Sequence, residues 1–312
     1  MLDVRRLRVL KEVAAKGSFS AAAESLAYTQ SAVSQQIAAL EREAGTKLVE
    51  RSARGVHLTD AGRMLVGHAD AILARLTDAE AELEAMAGLR GGRVRLVAFP
   101  SAGASIMPAA ISRFRDRHPA VEVTLAPAEP EDAGDMLRSG EADVGLTIET
   151  TWADPGDDGL QRTHLLDDPM YLVLPDDHPQ ARRRSIRLSE MADEPWILGS
   201  SDATCPDGQI LIRACNKAGF EPRIAFQSDD YNATQGFIAT GMGVCLIPDL
   251  ALTNVRDDVV VRSLGPKAPA RRISAITTES GFCSPAKQAM LDVLVETAGE
   301  WTGHRRELAV AS

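Results

Sequence analysis

The residues best suited to recognition chemistry lie between Gln30 and Ala44. Val33, Ile37 and Leu40 recur at i, i+4 and i+7, which predicts a helix with one apolar stripe turned to a core. At about 100° per residue, Ser31, Gln35, Ala38 and Arg42 fall on the opposite side, with Ser34 at its edge. That outer face is short, polar and almost uncharged. Such a face makes a poor phosphate clamp but suits a DNA major groove, where Gln and Ser hydrogen-bond base edges and Ala meets a thymine methyl. The solvated face of an ordinary helical bundle would carry the same pattern, so the helix alone leaves both readings open.

Positioning such a face takes further elements. A first helix is predicted from Val4 to Ala15, stopped by Gly17. Ser18 or Ser20 caps a short second helix, in which Ala22, Ala23 and Leu26 face inward beside Phe19. Ala27-Tyr28 makes a turn and Thr29 caps the third helix, giving a helix-turn-helix. Lys47–Val49 and Gly55–Leu58 read as two short strands, a wing whose tip carries Arg51 and Arg54 as phosphate-directed cations. From Thr59 a long helix runs to Met86 or Ala87, about 40 Å at 1.5 Å per residue. Along it Leu65, Ala69, Ile72, Leu76, Ala79, Leu83 and Met86 alternate at spacings of 4 and 3, a heptad seam that predicts dimerisation. An amphipathic helix lying on its own core is the alternative. Gly88, Gly91 and Gly92 then interrupt the pattern as a hinge.

The charge is divided along the chain. Its 312 residues carry 34 Lys+Arg and 44 Asp+Glu, a net −10 that argues against nucleic acid if taken as an average. Residues 1–58 hold nine Lys/Arg and six Asp/Glu, whereas residues 91–312 hold 22 and 32. A weakly basic head of +3 therefore precedes a body of −10.

The runs Phe19-Ser20-Ala21-Ala22-Ala23, Thr29 to Ile37, Leu40-Glu41, Leu48-Val49-Glu50-Arg51 and Leu58-Thr59-Asp60-Ala61-Gly62 strongly resemble the LysR-type transcriptional regulators. Val49 stands where that family commonly has Phe. The resemblance implies a winged helix-turn-helix, a dimerising linker helix and a C-terminal effector-binding domain. It implies double-stranded DNA, a small-molecule effector and further copies of the chain, as a dimer or a tetramer, as partners. The expected DNA contacts are Ser20, Thr29, Gln30, Ser31, Ala32, Ser34, Gln35, Arg51 and Arg54. Of these, Gln30, Ser31, Ser34 and Gln35 would read bases, and the two arginines would hold phosphates.

In residues 93–312 strand and helix patterns alternate, as in α/β proteins with parallel sheets covered by helices. Strands are expected at 94–98, 121–126, 142–148, 171–175, 196–198, 223–227, 243–247 and 272–277. Helices are expected at 103–117, 131–139, 206–218, 231–240 and 285–302. The phrases Arg113 to Pro119, Gly140 to Leu146, Glu194-Pro195-Trp196-Ile197 and Thr240 to Val244 also resemble the LysR family. That implies a fold like the two-lobed periplasmic solute-binding proteins. The expected division is α/β throughout the body: 1–58 DNA-binding, 59–89 linker, and 90–312 regulatory. Within the last, lobe I covers about 93–165 and 265–302, and lobe II about 166–264.

Ligands in open α/β sheets sit beyond the carboxyl ends of strands. This places the candidate cleft at Pro100–Gly103, Leu146–Glu149, Ser200–Thr204 and Ser228-Asp229. Ser101 matches the family position that commonly contacts effector, and its hydroxyl beside a helix start suits a carboxylate. The expected effector contacts are Ser101, Ala102, Gly103, Leu146, Ile148, Thr204 and Ser228. For Ser101 and Thr204, simple helix capping is the alternative. Glu129 and Glu149 near the same opening would repel a dianion.

Other motifs carry less. Cys205 and Cys215 lie where peroxide-sensing members keep a redox pair, but buried inert thiols are the usual fate of cysteine. Gly241-Met242-Gly243 lacks a third glycine and precedes a strand, as turn chemistry does. The six histidines show no metal-ligand spacing, and nothing in the sequence calls for a cofactor, a metal or an enzyme. The uncharged stretch Leu96–Ser112 is broken by two prolines and is too short to span a membrane. With no apolar leader after Met1, the expected location is the cytoplasm. The rival reading is a small-molecule-binding or enzymatic α/β protein whose head serves only oligomerisation.

Overall fold

A computed structural model describes the chain except residues 53–54, 87–91, 151, 153–157, 200–204, 280–283 and 312. Side chains are also left undescribed at 51, 52, 55, 74, 77, 78, 81, 82, 84–86 and 302–311.

The head opens with α1 (Val4–Lys16), capped by the Asp3 carboxylate on the Arg5 N–H and ended by Gly17 at φ 60°. Then follow α2 (Phe19–Ser25), capped by Ser18, and α3 (Gln30–Ala44), capped by Thr29. β1 (Val49–Ser52) and β2 (Gly55–Leu58) form an antiparallel hairpin, and α4 (Asp60–Met86) leads away from it. The core gathers Leu7, Leu10, Val13, Phe19, Val33, Ile37, Leu40 and Leu48, and α4 adds Leu65 and Ala69 to it. A unit of about 60 residues buries barely enough apolar surface to fold. Each fully buried aliphatic side chain contributes about 1.5–3 kcal/mol, so the first turns of α4 are part of the head's stability.

The heptad seam is corrected accordingly. Leu65 and Ala69 face the head's own core at 8% and 0% exposure, while Ile72, Leu76, Ala79 and Leu83 are exposed. The stripe open to a partner therefore begins at Ile72. The side chain of Met86 and the glycine hinge at 88 and 91 lie outside the described residues.

The body begins with β3 (Gly92–Ala98), α5 (Pro100–Ala104), α6 (Ile106–Arg117), β4 (Val121–Pro127), α7 (Pro130–Arg138) and β5 (Val144–Glu149). One helix was expected over 103–117, but the chain breaks at Ser105. Pro108 explains the break, because its ring would clash with the carbonyl of residue 104 in a continuous helix. The Ser105 hydroxyl donates to the Ser101 carbonyl across the junction at 2.6 Å.

Next come β6 (Leu160–Pro175), β7 (Pro195–Gly199), α8 (Pro206–Lys217), β8 (Arg223–Ser228), α9 (Tyr231–Ala239) and β9 (Cys245–Pro248). β10 (Val259–Arg262), β11 (Ala270–Thr278) and α10 (Pro285–Ala311) complete the chain. The main sheet runs β10-β6-β11-β5-β3-β4, with β9 also on β6. β7 and β8 pair in parallel and join β9 through a bridge from Trp196 to Val244.

The sheet is mixed, not parallel as the alternating pattern predicts. β3, β4 and β5 are parallel, but β11 is antiparallel to both β5 and β6. The reason is β6. Its first half pairs with β11 in lobe I, and its second half pairs with β9 and β10 in lobe II. The sequence reading starts this strand at Tyr171 because the polar run Gln161–His164 and Asp167–Pro169 hides its first half. Apolar clusters fill the two lobes separately, around Phe114, Leu146 and Met290 in the first and around Trp196, Leu211 and Ile247 in the second. Among the described residues no helix is long and apolar enough to cross a membrane.

Candidate functional site

On α3, Val33, Ile37 and Leu40 are at most 2% exposed, and the opposite face presents Gln30, Ser31, Gln35, Ala38 and Arg42 to solvent. Ala32 and Ser34 are half-buried at its margin, and Ser20 on α2 is exposed. The Thr29 hydroxyl accepts from the Ala32 N–H at 3.2 Å and lies 3.0 Å from the Ser31 hydroxyl, so its cap also orients the first outward residue.

The hairpin is fixed to α3 by a residue that periodicity does not single out. Glu41 is 8% exposed, and its carboxylate accepts from the Leu48 N–H at 3.0 Å, the Val49 N–H at 3.4 Å and the Lys47 ammonium at 2.7 Å. Burial raises this carboxyl, and the three donors more than offset it, so its pKa falls below the usual range. On the other side Gly62 packs so close that a Cβ there would lie 2.1 Å from the Leu48 carbonyl oxygen. The Thr59 hydroxyl donates to the Lys47 carbonyl at 2.7 Å. Arg51 lies on β1 opposite Val56, but its side chain and the whole of Arg54 fall outside the described residues.

The second site is a cleft of about 220 Å³ between the lobes. Phe99, Ser101, Pro130 and Ile148 line it from lobe I, and Gly199, Asp207, Ser228 and Tyr231 from lobe II. At its floor Arg271 on β11 is 1% exposed and bonded to both sides. Its guanidinium donates to Asp168 Oδ2 at 2.5 and 3.0 Å, to Asp207 Oδ2 at 2.9 Å and to the Ser101 hydroxyl at 3.0 Å. The Phe99 ring lies 5.3 Å from it. Tyr231 donates its hydroxyl to the same Asp207 oxygen, and Asp207 Oδ1 is buried with no partner. Burial opposes charge on Arg271, but the two carboxylates outweigh it and keep the guanidinium protonated. Burial pushes the Asp168 carboxyl up to about 6 against the pull of Arg271. At the rim, burial and then repulsion from Glu131, Asp207, Asp132 and Asp229 hold the Glu129 carboxyl above its ordinary range.

Both halves of the chain match family models. Residues 4–63 match the bacterial regulatory helix-turn-helix of the lysR family, and residues 87–299 match the LysR substrate binding domain. The chain belongs to the LysR family of transcriptional regulators.

A probable hydrogen peroxide-inducible genes activator of Mycobacterium avium is 33% identical over 284 residues, covering 88% of this chain and 87% of that protein. An uncharacterised helix-turn-helix transcriptional regulator of Bacillus subtilis, YvbU, is 30% identical over 85% of this chain and 89% of its own length. In fold, the crystal structure of the LysR family regulator CbnR superposes with a TM-score of 0.72, covering 95% of this chain and 99% of that one at 20% identity. The chain is thus a DNA-binding transcriptional regulator with an effector-binding domain of the LysR type.

Several expected effector contacts are redistributed within this LysR domain. Ser101, Ile148 and Ser228 line the cleft. Leu146 and Ala102, at 1% and 0% exposure, point into the lobe I core. Leu146 lies two residues deeper along β5 than Ile148, and Ala102 is on the inner side of α5. Gly103 is half-buried and not part of the lining. Thr204 lies outside the described residues. Glu149 is away from the opening, where its charge helps to hold the Arg162 guanidinium protonated.

Periodicity missed Arg271, Asp168 and Asp207. The one available signal is that Arg271 takes an inward position in an alternating strand whose neighbours Ala270 and Arg272 are exposed. Cys205 borders the cleft with its thiol raised by burial, and burial pushes Cys215 up to about 12.

Proposed function

We propose that the outer face of α3 reads base edges through Gln30, Ser31, Ser34 and Gln35, and that Arg51 and Arg54 at the hairpin position the head on phosphates. Ser20, Thr29 and Ala32 border that contact. The carrying observation is the composition of this face: neutral hydrogen-bonding side chains exposed on a helix whose other side is locked into the core. The functional division follows residues 1–58, 59–89 and 90–312, with lobes near 93–165 plus 265–302 and 166–264. Two copies pair along α4 from Ile72 toward Met86, which places two recognition helices on successive major grooves of a pseudo-palindromic site. The effector occupies the cleft at Ser101, Ile148 and Ser228, and the protein acts in the cytoplasm by binding, without catalysis.

A gel shift with the chain's own upstream DNA tests this reading. A salt-sensitive complex that resists random competitor supports it, and its absence would favour a head used for oligomerisation alone.

A further inference from the structure

The charges lining the cleft say more about its ligand than its shape does. Glu129 and Glu131 stand at the lobe I rim, Asp207 and Asp229 face them from lobe II, and among the described residues Arg271 is the only basic one in the lining. That one cation is already occupied: its donors go to Asp168, Asp207 and the Ser101 hydroxyl. Helix N-termini are the other common anion cradles. Three helices of adequate length start at this cleft: α7 and α8 carry protein carboxylates in their first turns, Glu131 and Asp132 on one and Asp207 on the other, and α9 is capped by the Asp230 carboxylate, which accepts from the Ala233 N–H at 2.7 Å. A carboxylate or phosphate entering here would meet like charge with no free cation among the described residues to compensate it.

A cation meets the opposite situation. Among the described residues neither Glu129 nor Glu131 has a cationic partner, and the buried Oδ1 of Asp207 has no hydrogen-bond partner. Unpaired buried oxygens of this kind cost free energy until a donor satisfies them. Among the described residues no three His, Cys, Asp or Glu converge closely enough to hold one metal ion, so the carboxylates are spread for an extended ligand. Phe99, Pro130 and Ile148 supply apolar wall between them. At about 220 Å³ the space is smaller than the usual ~300–1,000 Å³ of drug-sized sites.

We propose that the effector of this regulator is a small organic cation, an aliphatic ammonium or guanidinium compound whose charged ends meet the Glu129–Glu131 rim and Asp207 while its carbon chain lies on Ile148 and Phe99. The proposal rests on the reading of the cleft as the effector site.

Calorimetric titration of the full chain with three matched probes decides it: cadaverine, glutarate and pentanediol. Cadaverine should bind, glutarate should not, and pentanediol should bind at least about tenfold more weakly than cadaverine, the loss expected from one charge contact. The double variant Glu129→Gln/Glu131→Gln should weaken cadaverine by about tenfold or more; both residues are exposed, so the fold should tolerate it. Glutarate binding more tightly than cadaverine, or no binding by any probe, overturns the cationic assignment. Ile148→Trp, which fills the cleft, separates the two levels. Cadaverine binding that survives Ile148→Trp lies elsewhere and overturns the cleft reading itself. Glutarate binding that Ile148→Trp abolishes keeps the cleft and overturns only the sign of its ligand.

Discussion

The outer face of α3 and the floor of the interlobe cleft handle polar groups in opposite ways. On α3 the groups are neutral, exposed and, at Gln30 and Gln35, turned to solvent, so they are available to a partner. In the cleft they are charged, buried and bonded to one another across the lobes through Arg271. The first arrangement invests little in the folded state and keeps its hydrogen bonds for recognition. The second ties stability and, on the proposed reading of the cleft, ligand binding to the same charges.

The largest effect that tests this contrast is at the floor. Arg271→Ala leaves Asp168 and Asp207 buried without their cation and should destabilise the regulatory domain by about 3–5 kcal/mol. Urea unfolding measures it; a change near zero would mean that the ion pairs contribute no more than exposed ones do.

Next is the buried carboxylate of the head. Glu41→Ala strands the Leu48 and Val49 N–H groups and should cost about 1–3 kcal/mol. The pH dependence has a definite sign. The folded carboxyl sits below its ordinary value, so its contribution is complete above that value and is lost as pH falls through the folded pKa. Wild-type head stability should therefore decline on acidification, and Glu41→Ala should remove that part of the slope.

On the recognition face the effect moves from stability to specificity. Gln35→Ala should leave the melting temperature unchanged and relax base preference by about 1–3 kcal/mol at one position. Equal losses on specific and random DNA would assign Gln35 a non-specific role. The smallest effect belongs to Arg51→Ala, which should weaken all sequences alike and lower the salt slope by about one.

What the sequence revealed follows the same contrast. The recognition helix was legible because Val33, Ile37 and Leu40 fix its inward side, and everything opposite is then outward by geometry. The cleft is assembled from α5, the α7 start, β5, β7, α8, β8, α9 and β11, and two of its bonded residues, Ser101 and Arg271, lie 170 positions apart. No local period links them. Strand-end reasoning found Ser101, Ile148 and Ser228 but gave Leu146 the wrong depth, because it locates the end of a strand and not which side chain reaches the opening. The dimer seam misled for a related reason. A heptad spacing reports one continuous stripe on α4, but not that its first two members are spent on the head's own core.

That sharing of Leu65 and Ala69 makes α4 a lever rather than a tether. With its first turns set into the same packing as α3, the helix cannot swivel against the head without opening that core. The rest of its 27 residues, about 40 Å in all, moves the head as one piece. If two such levers pair as proposed, their crossing angle would set the distance between the two copies of α3. Operator half-sites lie on a fixed grid of one helical turn, about 34 Å. On the proposed pairing the half-site grid would work as a vernier: a small change of angle between levers would become a step on or off register, and an effector that biased the angle would change which DNA spacing fits.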